Sequence, residues 1–93
     1  MADSAVRITV EGRVQGVGFR AFVSDLATQH NVRGWVRNRR DGKVEALLIG
    51  AQKEIDAVIA ACRRGPRLAR VTALAEEHAG DDGTAGFHER PTV

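Results

Sequence analysis

The sequence predicts an α+β sandwich, in which two helices cover one face of a sheet. In several short segments, apolar residues alternate with polar ones, and this period of two is typical of half-buried strands. In two longer segments, apolar residues recur at spacings of three and four, as they do on the buried side of a helix. The segments follow each other in the order β-α-β-β-α-β, and glycine-containing stretches separate them.

The N-terminal part of the chain contains a strand, a glycine-rich loop and a helix. The strand is predicted at about residues 6–12, where three apolar residues alternate with polar ones: Val6, Ile8 and Val10. A loop follows and ends at Gly18. The first helix is predicted at about 19–31. Its apolar side consists of Phe19, Phe22, Val23, Leu26 and Ala27.

The middle of the chain predicts two strands joined by a tight turn. The second strand, at about 33–39, contains Trp35 near its centre. Asp41-Gly42 is a strong signal for a two-residue hairpin turn, in which both central residues have a positive φ. The third strand, at about 43–49, is apolar on both faces, which is typical of a strand in the centre of a sheet.

The C-terminal part completes the pattern with a second helix and one or two strands. The helix is predicted at about 51–64, and Gly65-Pro66 ends it. A fourth strand is predicted at about 69–77 and a short fifth strand at Gly86–Arg90. The element order is that of the ferredoxin-like split βαβ arrangement, with an antiparallel sheet and both helices on one face. This fold class by itself names no function.

Length and composition restrict the class of protein. The 93 residues are expected to form one domain, 1–93, with a core over about 6–90. Hydrophobic residues make up 43% and charged residues 28%, close to the globular average, so the composition indicates neither a disordered chain nor a coiled coil. A net charge of +2 is too small to indicate nucleic acid as a partner.

The sequence shows no membrane or export signal. Its apolar runs are far shorter than the roughly 18–20 residues that a bilayer span requires. The start, Met1 to Ser4, has no basic segment leading into an apolar stretch, so no signal peptide is predicted. Because Cys62 is the single cysteine, no internal disulfide can form, and we expect a cytoplasmic protein. Cys62 continues the apolar side of the second helix and is predicted to be packed there.

The stretch from Gly16 to Arg20 is a candidate anion site. Two glycines between a strand and a helix allow positive φ, so that successive N–H groups can turn toward one point beside a helix N-terminus. The guanidinium of Arg20 offers paired donors that match two oxygens of a phosphate or carboxylate. The alternative is an ordinary tight turn before a helix, with a solvated Arg20.

Asn38, late in the second strand, is a second candidate. The alternation places it on the same face as Val36, close to the start of the first helix if that face meets the helices. A side-chain amide offers an acceptor and donors without charge, and can orient a water molecule. The alternative is an exposed amide on an edge strand.

The remaining charged residues give weaker signals. A positive potential that attracts an anion is one interpretation of the two arginine runs, and a solvated surface is the other. These runs are Arg33, Arg37, Arg39, Arg40 and Arg63, Arg64, Arg67, Arg70. The pairs Glu76-Glu77 and Asp81-Asp82 are predicted to be solvated. The three histidines do not have metal-ligand spacing, so no zinc site is predicted.

Two motifs of this sequence resemble the signatures of the acylphosphatase family. The first is the run from Val10 to Arg20, and the second is Gly34-Trp35-Val36-Arg37-Asn38 followed by Gly42, Val44 and Gly50. The resemblance covers about residues 6–90. It implies a ferredoxin-like fold with the last strand beside the second. It also implies hydrolysis of acyl phosphates, as small-molecule substrates, to a carboxylate and inorganic phosphate, without a metal or other cofactor.

The resemblance also assigns roles to individual residues. The backbone amides of Gln15, Gly16, Val17, Gly18 and Phe19, with the guanidinium of Arg20, would hold the phosphoryl group. Asn38 would position the attacking water. Such a site is chemically coherent, because phosphoryl transfer depends mostly on positioning and on stabilising charge.

Two other functions compete with the enzyme. One is a binding or regulatory domain that keeps the anion pocket without turnover. The other is an RNA-binding module of the same element order, which would stack bases on aromatic residues of the central strands. The aromatic residues here are few, and two of them lie on the first helix, so we expect no nucleic-acid partner and no membrane partner. We expect a monomer.

Overall fold

The computed structural model describes residues 3–93 and contains the predicted elements in the predicted order. Met1 and Ala2, part of the start from which no signal peptide is predicted, lie outside the described residues. The elements are β1 (Ser4–Arg13), α1 (Phe19–Gln29), β2 (Arg33–Asn38), β3 (Val44–Gly50), α2 (Gln52–Arg64), β4 (Arg70–His78) and β5 (Phe87–Glu89).

The five strands form one sheet in the order β4-β1-β3-β2-β5. Neighbouring strands among β4, β1, β3 and β2 are antiparallel, as predicted. β5 pairs with β2 in parallel, with Gly34 opposite Phe87 and Val36 opposite Glu89. The sheet is therefore mixed, which corrects the prediction of an antiparallel sheet at this one edge. The long connection after β4 brings β5 to the opposite side of the sheet, where it runs in the direction of β2.

Both helices pack on the same face of the sheet. The core between the layers takes its apolar residues from alternate positions of the strands and from one side of each helix. In α2 the buried residues are Ile55, Val58, Ile59 and Cys62. Cys62 is packed as predicted, and its burial raises the pKa of its thiol to about 12. At neutral pH this thiol is protonated and behaves as a small apolar group.

The opposite face of the sheet carries a second apolar cluster of Trp35, Leu47 and Ile49. The guanidinium carbon of Arg37 lies 4.4 Å from the centre of the Trp35 ring, and Arg37 Nε lies 2.6 Å from Glu45 Oε1. The cation–π contact and the ion pair together cover the indole. This explains why Trp35 is buried although it lies on the face without helices.

The loop between β4 and β5 is fastened by the acidic pair that was predicted to be solvated. Asp81 Oδ2 accepts a hydrogen bond from Arg33 Nη2 at 2.6 Å, and Asp82 Oδ2 accepts one from the indole N–H of Trp35 at 3.1 Å. Glu76 also has a partner, at 2.7 Å from Arg63 Nη2. All four acidic residues are exposed, as predicted, and the partners of three of them could not be inferred because these partners are distant in sequence.

The turn between β2 and β3 also differs from its prediction. Gly42 has a φ of 92°, but among the described non-glycine residues only Asn31 has a positive φ, so Asp41 does not. Gly42 N–H donates to the carbonyl of Arg39 at 3.1 Å, and Arg39 N–H donates to the carbonyl of Lys43 at 2.8 Å. The loop therefore has three residues, with glycine at its last position, rather than two.

Most arginines of the first run have acidic partners, which reduces the positive potential that the sequence offered as one interpretation. Arg33 pairs with Asp81 and Asp3, Arg37 with Glu45, and Arg39 with Asp41. Arg40 is exposed. None of the helices within residues 3–93 is long and apolar enough to cross a membrane.

Candidate active site

The segment between β1 and α1 has the conformation that the glycines predict. Gly16 and Gly18 have φ values of 72° and 80°, and Gly18 is the N-cap of α1. No side chain caps this helix end, and its first turn contains no acidic residue. Among the described groups, none accepts a hydrogen bond from the backbone N–H groups of residues 15–19. These donors are therefore available to an anion.

Arg20 is half-buried in the first turn of α1. Within the part of the chain that the structure describes, no carboxylate lies at ion-pair distance from its guanidinium. Its position at the positive end of the helix is unfavourable for a cation. An anion bound at the helix N-terminus would give Arg20 an ion-pair partner. It would also offset the repulsion between the guanidinium and the positive end of the helix. Arg20 lines a cavity at this end of the helix.

Asn38 is the last residue of β2 and lies on the helix-facing side with Val36. Its side-chain Oδ1 is buried and has no hydrogen-bond partner among the described groups. A buried acceptor without a partner is unfavourable unless a bound molecule satisfies it. Val93 N–H donates to the Asn38 carbonyl at 3.2 Å, which fixes the backbone of Asn38 from the β5 side.

Arg20 and Asn38 line the same cavity, which has a volume of about 140 Å³. Of the predicted site residues, this cavity also includes Gly16, Gly18 and Phe19. Its remaining lining residues are Val14, Ala21 and Glu89. The structure thus brings together two candidates that are 18 positions apart, at the end where α1 begins and β2 ends.

Two predicted residues do not line this cavity with the others. Val17 packs partly against the core, and the side chain of Gln15 points toward the turn after β2. Gln15 Nε2 donates to the carbonyl of Arg39 at 2.7 Å and to the carbonyl of Lys43 at 2.9 Å. These bonds hold the loop of residues 14–18 against the segment that follows Asn38.

Sequence reasoning missed Glu89 at this cavity. It lies on β5, two residues after Phe87, which packs against the core. The alternation of a strand would place Phe87 and Glu89 on one face. Which strand β5 joins, and in which direction, could not be read from three residues. Across residues 3–93, no cluster of three or more His, Cys, Asp or Glu side chains could hold a metal ion.

The profile of the acylphosphatase family matches residues 6–89. The chain belongs to the acylphosphatase family. An acylphosphatase from Rhodopseudomonas palustris (strain BisB18) is 55% identical over 77 residues, which are 83% of this chain and 78% of that protein. The crystal structure of the acylphosphatase from Bacillus subtilis is 37% identical, with a TM-score of 0.89, and the match covers 92% of this chain and 97% of that one. The ferredoxin-like fold and the enzyme class are thereby confirmed.

The acylphosphatase fold also occurs within a much longer chain. The structure of full-length HypF, in its phosphate- and nucleotide-bound form, matches with a TM-score of 0.90 and 27% identity. The match covers 97% of this chain but 12% of that one. The roles of Arg20 and Asn38 stay predictions.

Proposed function

We propose that this acylphosphatase-family protein hydrolyses acyl phosphates in the cavity between the start of α1 and the end of β2. The observation that supports this proposal best is that hydrogen-bond donors and a hydrogen-bond acceptor, all without partners among the described groups, lie at the same cavity. On one side are the guanidinium of Arg20 and the free N–H groups of the loop of residues 15–19, which are donors only, and of this loop Gly16, Gly18 and Phe19 line the cavity. On the other is the buried acceptor Oδ1 of Asn38.

The donor side is suited to the phosphoryl group. A phosphoryl dianion presents three oxygens, and successive amides at a helix N-terminus can bind one or two of them. Arg20 adds a planar pair of donors that can bind two oxygens at once. In the transition state, charge spreads over these same oxygens, so donors fixed before the reaction stabilise it.

The acceptor side is suited to the attacking water. An O–H group of the water donates to Oδ1 of Asn38, which leaves a lone pair of the water free to face phosphorus. The water oxygen forms a bond to phosphorus while the bond from phosphorus to the acyl oxygen breaks. The electron pair leaves with the carboxylate, and the proton of the water moves to a phosphate oxygen. The products are one carboxylate and one inorganic phosphate.

The reaction does not require a residue that acts as a general acid. The leaving carboxylate has a conjugate acid with a pKa of about 4, like that of free Asp or Glu, so it departs without being protonated. A phosphate monoester would leave as an alkoxide, which needs an acid or a metal ion. We therefore expect selectivity for acyl phosphates over monoesters.

The decisive experiment measures release of inorganic phosphate from acetyl phosphate and from glycerol phosphate, each with and without excess EDTA. The proposal expects rapid release from acetyl phosphate, no loss of rate with EDTA, and no release from glycerol phosphate. Release that stops with EDTA would place a metal ion in the mechanism. Absence of release from acetyl and benzoyl phosphate alike would overturn the proposal.

A second candidate is a domain that binds an acyl phosphate or phosphate without hydrolysing it. The similarity to a small part of HypF favours this candidate, because there the fold is one segment of a larger protein. The two candidates differ in one measurement. A non-catalytic domain would bind inorganic phosphate in calorimetry. It would release no inorganic phosphate from acetyl phosphate.

The proposal includes a cytoplasmic monomer with no nucleic-acid partner. The aromatic residue of the open sheet face, Trp35, is covered by Arg37 and Arg90 and offers no surface for stacking a base. Sedimentation and an RNA shift assay test these two points.

A further inference from the structure

Glu89 places a carboxylate at the edge of the anion cavity. It lies opposite Val36 in the parallel pairing of β5 with β2, and residues opposite each other point to the same side of a sheet. Val36 is fully buried on the helix side, and Glu89 lines the cavity together with Arg20 and Asn38. The side chain of Glu89 is therefore directed toward the site and not toward the open face.

The neighbours of Glu89 fix this direction. Arg90 N–H donates to the carbonyl of Val36 at 2.9 Å, which continues the pairing of the two strands. The guanidinium carbon of Arg90 lies 5.4 Å from the centre of the Trp35 ring, on the opposite face of the sheet. Since successive side chains of a strand alternate, Glu89 faces the helices.

A carboxylate at this place opposes the binding of an anion. Among the lining residues of the described chain, Glu89 is the only acidic one, and its carboxylate is not at ion-pair distance from Arg20. It therefore does not neutralise the arginine through a direct contact. It lowers the affinity for every anion that enters the cavity. A residue that opposes the main function of a site calls for a separate physical reason.

We infer that Glu89 selects the substrate by the charge of its acyl group. In this inference, which rests on the proposed function, acyl phosphates with a neutral or cationic acyl group are accepted, and those with a second anionic group are disfavoured. The phosphoryl group occupies the part of the cavity formed by the loop and Arg20. The acyl group then extends toward two exposed lining residues, Ala21, which offers no bulk, and Glu89, which supplies the negative charge.

The inference does not require the acyl group to touch Glu89. At physiological ionic strength, charges interact over a Debye length of about 8 Å. A cavity of about 140 Å³ is small, so a carboxylate on a short acyl chain stays within this range of its rim. Across roughly 4–8 Å of largely aqueous surroundings at low salt, this repulsion corresponds to a change of about twofold to fivefold in kcat/KM.

The test compares two substrates that differ by one carboxylate, acetyl phosphate and succinyl phosphate. The measured quantity is the ratio of their kcat/KM values, in which the common effect of Glu89 on the phosphoryl group cancels. Glu89→Gln is expected to raise the ratio of succinyl to acetyl phosphate by about twofold to fivefold at low salt. Glu89→Lys is expected to raise it further. Added salt is expected to shrink the difference between wild type and variants.

The control and a second measurement keep the result unambiguous. Glu77→Gln removes the same charge from an exposed residue that does not line this cavity, and it is expected to leave the ratio unchanged. Binding of methylphosphonate and phosphonoacetate, measured by calorimetry, gives the same comparison without turnover. If no variant hydrolyses acetyl phosphate, the proposed function fails, and the phosphonate pair still tests the inference. If both ratios are unchanged in Glu89→Gln, charge selection by Glu89 is wrong.

Discussion

The side-chain amide of Gln15 donates a hydrogen bond of 2.7 Å to the carbonyl of Arg39, the residue that follows Asn38. A second bond, of 2.9 Å, joins the same nitrogen to the carbonyl of Lys43. The loop that carries the free amides is thus tied to the end of β2. We infer that Gln15 acts as a positioning residue, because it sets the distance between the two halves of the cavity without lining it.

Gln15→Ala is therefore expected to affect both stability and turnover. Loss of two hydrogen bonds should lower the free energy of unfolding by about 1–2 kcal/mol. The loosened loop should lower kcat with acetyl phosphate, since positioning supplies much of the acceleration. Urea denaturation and steady-state kinetics measure these effects. Gln29→Ala, at an exposed position of α1, is the control and should change neither. A kcat unchanged by Gln15→Ala would restrict Gln15 to a structural role.

Arg20→Gln is expected to abolish turnover while the fold survives. The substitution removes the charge and the paired donors that face the cavity, and Arg20 has no carboxylate partner within the described residues whose loss would weaken the fold. By analogy with the loss of a preorganised donor, kcat/KM should fall by about 10³-fold or more, and inorganic phosphate should no longer inhibit. Arg67→Gln, at an exposed position, is the matched control. Activity near that of wild type in Arg20→Gln would contradict the assigned role.

Asn38→Ala separates positioning of water from binding of the anion. The proposal expects kcat to fall by about 10²-fold or more, because the acceptor that orients the water is lost. Inhibition by inorganic phosphate should persist, because the amide donors and Arg20 remain. An equal loss of phosphate binding and of kcat would assign Asn38 to the anion site instead.

The sequence predicted those helices and strands whose apolar residues recur at a regular spacing. β1 and α1 were predicted because alternation and helical spacing are local properties, and the loop between them contains both glycines with positive φ. The ends were less certain: β1 runs over Ser4–Arg13 where about 6–12 was predicted. The additional residues pair with β3 and β4, and such pairing depends on residues far away in the chain.

The candidate site was also predictable where it depends on local sequence patterns, and not where it depends on pairing between distant segments. Gly18 and Arg20 are close in sequence, and the alternation along β2 placed Asn38 on the correct face. Glu89 was missed because its place depends on the parallel pairing of β5 with β2, which a three-residue strand does not encode. The partners of Asp81 and Asp82 were missed likewise, since the contacts to Arg33 and Trp35 form only when the loop crosses the sheet edge.

Gly18→Ala tests whether the conformation of the loop serves the fold or the site. Gly18 has a φ of 80° and space for a methyl group, and Gly83 shares both properties in the loop between β4 and β5. Alanine at either position should lower the free energy of unfolding by about 1–2 kcal/mol, because the backbone conformation is strained for an L-residue. Only Gly18→Ala should also raise KM for acetyl phosphate, since Gly83 does not line the cavity. Equal KM values in the two variants would separate the loop conformation from substrate binding.

The carboxyl of Asp82 predicts a loss of stability at acid pH. Hydrogen bonds from Thr84, and then one from the indole of Trp35, lower the pKa of Asp82 from 3.8 to about 2. A carboxyl with a lowered pKa in the folded state binds protons more readily in the unfolded state. Its stabilising contribution is therefore fully present above pH 3.8 and is lost as the pH falls toward 2.

Asp82→Ala should accordingly lower the midpoint of thermal unfolding at pH 7, and the difference from wild type should close between about pH 4 and pH 2. Trp35 is the single tryptophan of the chain, and because it lies beside Asp82 its fluorescence reports the unfolding of this region. Asp25→Ala removes an exposed carboxylate of α1 and is the control, for which we expect no such closing difference. A difference between wild type and Asp82→Ala that stays constant down to pH 2 would show that the loop is held by contacts other than the charge of Asp82, because protonation would then leave the stabilising interaction intact.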